Sequence, residues 1–85
     1  MLRKKSKNMS LNEAPGEREL KVLQINSDID AKKKMMSLGI QKDDFIIKMT
    51  KNNWGAILVR NISNGNSMVA LGRGLAESVI VTYEN

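Results

Sequence analysis

Five apolar stretches, none with more than four apolar residues in a row, are separated by turn signals across about 70 residues of this chain. They are ELKVLQI (within 17–25), FIIKMT (45–50), the stretch from Trp54 to Ile62, SMVAL (67–71) and SVIVTY (78–83). Strands this short and this closely spaced predict a mainly β protein. The arrangement that removes exposed strand edges is a small, strongly curved barrel. In the first strand Leu20 and Val22 fall on one face, and Leu23 and Ile25 on the other. SVIVTY is nearly continuous in apolar residues, which predicts a strand that is central or covered on both faces.

One segment breaks the β pattern. After Asn26-Ser27-Asp28, Ser27 is placed to cap a helix of about three turns, with Asp30 in the positive first turn and Lys32, Lys33 and Lys34 later. Ile29, Met35, Met36 and Leu38 are its expected apolar face. The helix has to stop at Leu38-Gly39-Ile40. Gly39 stands where a left-handed residue closes a helix, and Ile40 can fold back on the last turn. The chain then reverses through Gln41 to Asp44, with Asp43 and Asp44 read as turn residues.

The other turns have equally local signals. Ser10 to Glu13 fits a capping box for a single turn. Pro15-Gly16 predicts a type II turn with positive φ at Gly16. Asn64-Gly65 predicts a type I′ hairpin turn joining residues 56–62 to 67–71. Residues 72–78, GRGLAES, predict one tight helical turn in which Ala76 is small because it packs closely.

Composition removes most chemistry. The 85 residues make one small domain, which contains no cysteine and no histidine. Thiolate and imidazole metal sites, and catalytic triads built on histidine, are therefore excluded. Gly72-Arg73-Gly74 lacks the further residues of a dinucleotide or P-loop fingerprint. Of the six methionines, Met35, Met36, Met49 and Met68 are expected to fill the core. No catalytic residue, metal ligand or cofactor is expected. With no bilayer-length apolar run and no signal peptide, the chain is expected in the cytoplasm.

The net charge of +5 is concentrated at the N-terminus. Arg3, Lys4, Lys5 and Lys7 lie there with no acid, so the remainder is close to neutral. Residues 1–8 are expected to form a disordered basic tail, ahead of a domain spanning 9–85. A near-neutral domain argues against a nucleic-acid interface, although a nucleic-acid-binding or regulatory small barrel is the competing reading.

Three motifs together resemble the FeoA family, the small ferrous iron transport protein A. They are Leu11 to Gly16, the helix end Leu38-Gly39-Ile40, and Ala76 followed by Val79 to Val81. The resemblance covers about residues 9–83. It implies an SH3-like β-barrel of about five strands with an α-helix after the first. It also implies a cytoplasmic accessory of the ferrous iron permease FeoB, which carries a GTP-binding domain, and so a position peripheral to the inner membrane, with Fe²⁺ expected only as a weak or interface-bound ligand. Many relatives continue Leu-Gly-Ile with x-Pro-Gly, whereas this chain has Gln41-Lys42-Asp43. For the partner surface, Lys32, Lys33 and Lys34 are candidates because three consecutive lysines on a helix cannot all face inward. Trp54, beside a polar turn, is a candidate anchor. Self-association is left open.

Overall fold

The computed structural model describes residues 6–50 and 55–84. Six antiparallel strands form one sheet in the order β1-β6-β2-β3-β4-β5. The strands are β1 Ser6–Ser10, β2 Glu19–Ile25, β3 Phe45–Lys48, β4 Ile57–Asn61, β5 Ser67–Leu71 and β6 Val79–Glu84. Helix α1 spans Ile29–Ser37 between β2 and β3, and the short α2 spans Arg73–Glu77 before β6. The fold is thus the mainly β, SH3-like barrel that was expected, with one strand more than expected.

The period-two pattern builds the core. Leu20 and Val22 of β2, Ile46 of β3, Ile57 and Val59 of β4, Val69 and Leu71 of β5, and Val79 and Val81 of β6 all point inward and are buried. They form one cluster with Leu11, Ala14, Met35, Ile40 and Ala76. Residues from β2 and from β5, three strands away, share this cluster, so the sheet wraps around it. β6 lies between β1 and β2, the interior position that its apolar run predicted.

The added strand, β1, revises the N-terminal expectation. Ser6, Lys7 and Asn8 pair with Glu84, Tyr83 and Thr82 of β6, so the sheet takes up the last three residues of the expected disordered tail. SKNMS carries little strand signal of its own. The pairing is supplied by the otherwise open edge of β6, whose backbone groups need partners.

Other corrections are local. The register of β2 against β6 shifts between Val22 and Gln24, a bulge that returns Ile25 to the core instead of leaving it on the far face. The helix cap is Asp28, not Ser27: its Oδ1 accepts from the Ala31 N–H at 2.9 Å. Ser27 belongs to the exit turn of β2, where its N–H reaches Ile25 O. In the loop after Pro15-Gly16 it is Glu17 that has the left-handed conformation, with φ 59°. The 57–61 and 67–71 strands do pair as a hairpin. Their link is longer than a two-residue turn because Ile62–Asn64 coil into a 3₁₀ turn, followed by the left-handed pair Gly65 and Asn66. Among the described methionines only Met35 is fully buried; Met9 packs half-buried against the core, Met49 is half-buried, and Met36 and Met68 are exposed.

Candidate functional site

The segment that ends α1 is built as its sequence demands. The Gly39 N–H bonds to Met36 O at 3.0 Å and the Ile40 N–H to Met35 O at 3.1 Å, with Gly39 at φ 86°. This is the paired hydrogen-bond closure of a Schellman motif, and Ile40 packs back beside Met35, both fully buried. The chain then turns on Asp43, at φ 74°. The short polar side chain of Asp43 tolerates the left-handed region.

A buried amide holds this turn to the barrel. Asn61 lies at an inward position of β4 and is fully buried. Its Nδ2 donates to Gly39 O at 2.8 Å and to Asp44 Oδ2 at 2.9 Å. Its Oδ1 accepts from the Ser63 N–H at 3.0 Å. Asp44 Oδ2 also accepts from the Gln41 N–H at 2.9 Å, and Asn64 Nδ2 donates to Gly39 O at 3.3 Å. Sequence reasoning passed over Asn61 as part of a strand. Its only local signal is a polar residue at an inward position of the alternating pattern Ile57, Val59, Asn61.

The braced turn forms one wall of a groove. The opposite walls are α1 and the end of β2, and the space between them is about 380 Å³. Ile25 and Met36 supply its apolar surface, over the buried Ile40; Gln24, Asn26 and Gln41 add amides; Lys32 and Lys42 add two cations. No carboxylate lines it. Lys32 and Met36 are one helical turn apart and so share a face. Lys33 and Lys34 are exposed on other faces of α1, so the structure separates three lysines that the sequence treats alike. Ile29 and Met36, expected on the buried face of α1, are 69% and 61% exposed. Only Met35 is fully buried in α1, and the remaining apolar side chains of the helix are available to the surroundings. Trp54 lies outside the described residues.

A second, polar recess of about 620 Å³ lies at the opposite loop, lined by Asn12, Glu13, Ala14, Pro15, Gly16, Glu17, Lys48 and Thr50. Lys48, on the inward face of β3, is 6% exposed. Its Nζ donates to Asn12 O and Ala14 O, both at 2.9 Å. Burial, and then the nearby Arg73 charge, hold the Lys48 ammonium below the ordinary lysine value of 10.5. Lys48 thus fastens the first loop to the barrel. Asn12 fastens it again by donating from Nδ2 to Arg73 O at 3.0 Å.

Among the described residues no cluster of three or more His, Cys, Asp or Glu side chains forms a metal cage. No described helix is long and apolar enough to cross a membrane.

None of the curated proteins matches this chain. The crystal structure of an iron uptake regulatory protein, FeoA, superposes on it with a TM-score of 0.77 at 24% identity, covering 93% of this chain and 99% of that one. The solution structure of a FeoA-like protein from Clostridium acetobutylicum has a TM-score of 0.71 at 23% identity, covering 88% of this chain and 85% of that one. At such identities these two structures speak for the fold. The sequence match is independent of them: residues 9–83 match the FeoA domain, and they include the end of β2, the helix stop and the Asn61 brace that build the groove. The chain therefore belongs to the FeoA family.

Proposed function

We propose that this protein is a small accessory of ferrous iron uptake. It docks through the groove between α1 and β2 onto the cytoplasmic, GTP-binding part of a FeoB-type permease, and it regulates transport without catalysing a reaction. The observation that carries this reading is the groove itself: an apolar floor of Ile25 and Met36 over the buried Ile40, with Lys32 and Lys42 beside it and no acid among its lining residues. Such a site suits an aliphatic or aromatic anchor flanked by carboxylates. Burial of the anchor supplies affinity, and the lysines supply steering and orientation. Family membership points to the iron permease as the protein that presents it. The absence of histidine and cysteine supports an adaptor role over a catalytic one.

The test is binding of the full chain to the permease in detergent or nanodiscs. Met36→Asp should weaken binding at least about tenfold, since it places a charge in the apolar contact. Lys32→Glu with Lys42→Glu should slow association and reduce its salt dependence. The matched Lys33→Glu and Lys34→Glu pair should have a smaller effect, because those residues do not line the groove. Equal effects from the two charge-reversal pairs would reject the groove as the contact. A parent protein without affinity for the permease would reject the adaptor reading altogether.

A further inference from the structure

The two edges of the sheet are unlike. One edge is β1, whose sequence SKNMS contains Lys7 and follows Arg3, Lys4 and Lys5. Lysines at an edge are a common defence against pairing with another chain. The other edge is β5, Ser67–Leu71, which pairs with β4 on one side and with no strand on the other among the described residues. SMVAL has no charge and no proline, and so has neither defence. The outer surface beside this edge is largely apolar: Met68 is 50% exposed, Ala70 is exposed, and Leu58, opposite Ala70 on β4, is 37% exposed, while the half-buried Arg60 lies opposite Met68.

We propose that the open edge of β5 pairs antiparallel with β5 of a second copy of this chain, joining two sheets across a two-fold axis at Val69. Symmetry and side-chain size both favour this occupant. A closed homodimer joined at one strand edge, with its axis normal to the sheet, must pair that strand antiparallel. Centred on Val69, the register sets Met68 of each copy against Ala70 of the other, long against small. It also sets Ser67 against Leu71. No like charges meet along the strand, although each whole chain carries +5. Met68 then covers Ala70 and extends the partner's apolar row toward Leu58, so side chains now in water are buried on the outer face. The groove between α1 and β2 takes no part, so the two proposals fail separately.

Sedimentation equilibrium of the full chain over a wide concentration range tests the pairing. The parent should show a reversible monomer–dimer equilibrium. The double variant Met68→Lys/Ala70→Lys sets like charges directly across the join, and should raise the dissociation constant by at least about tenfold. Met68→Lys/Ala70→Glu sets opposite charges across the same join, and should restore dimerisation relative to the first variant. Both positions are exposed, and circular dichroism will verify that each variant is folded. A parent that stays monomeric at every concentration overturns the proposal. Equal dimerisation by the two double variants also overturns it, because the antiparallel register sets repulsion across the join in one and attraction in the other. If the lysine variant instead loses binding to the permease while the parent is monomeric, the edge receives a strand of another protein and the self-pairing is wrong.

Discussion

At the scale of single residues, conformation and burial impose separable demands. Gly39 has φ 86°, a region in which a side chain costs about 1–2 kcal/mol. A Cβ there would also lie 2.6 Å from Asn64 Nδ2, but that atom is the end of a mobile side chain and can move aside. The backbone term therefore decides. Gly39→Val should destabilise the protein by more than about 1 kcal/mol in urea unfolding. Adding Asn64→Ala should recover little of that loss; full recovery would mean that crowding and not φ sets the cost. Lys48 makes the opposite kind of demand. Lys48→Met leaves Asn12 O and Ala14 O without their charged donor, which should cost about 1.5–3 kcal/mol at neutral pH. The folded-state pKa of Lys48 is depressed, so the folded protein loses this proton at lower pH than the unfolded chain. Between the two pKa values the unfolded state binds more protons, and stability from this group rises with pH toward 10.5. Thermal melts across the alkaline range should show that rise in the parent and its loss in Lys48→Met. The same rise in both would assign it to another group.

At the scale of elements, β1 and α1 are the ones whose roles the alternating pattern did not reveal. β1 is a polar segment recruited by a neighbouring edge, and its contribution is backbone pairing plus the contact of Met9 with the core. Deleting residues 1–8 removes the pairing of Ser6, Lys7 and Asn8. With two or three net hydrogen bonds at stake, the loss should be about 1–3 kcal/mol, read as a lower melting temperature. An unchanged midpoint would show that this end of β1 adds nothing to stability. At the same corner the Arg18 guanidinium stacks over the Tyr83 ring at 4.4 Å, where β6 pairs with β1. Helix α1 is held by Met35 and by the Schellman closure, while Ile29 and Met36 remain exposed. The helical period alone could not show this. It fixes which residues share a face, but not how much of that face the barrel covers.

At the scale of the whole molecule, the barrel presents two separate surfaces, the lysine-flanked groove and the uncharged sheet edge. Neither offers imidazole or thiolate to a metal. We therefore expect the isolated protein to bind Fe²⁺ only weakly. Anaerobic calorimetry should show no saturable heat at micromolar iron, and stoichiometric binding there would replace this expectation with a carboxylate site. If the dimer or the permease complex completes a site, heat should appear only in those assemblies.

Much of the fold follows from local chemistry. The inward residues of the five apolar strands, the closure at Gly39, the α2 turn and the interior place of β6 could all be read from period, turn residues and runs of apolar side chains. These depend on neighbours within a few positions. Asp43 likewise needed only its own tolerance of positive φ. What the tertiary structure alone decided rests on partners far away in sequence. Asn61 becomes a brace because Gly39 and Asp44 come within 3 Å of its amide. Lys48 becomes a fastener because the first loop brings two carbonyls to it across more than thirty residues. Ser6 to Ser10 become a strand because β6 offers an edge, and Lys32 parts from Lys33 and Lys34 because only its face of α1 meets the braced turn. Hydrogen bonds and grooves of this kind are made between elements, and a one-dimensional pattern records only what each element can offer.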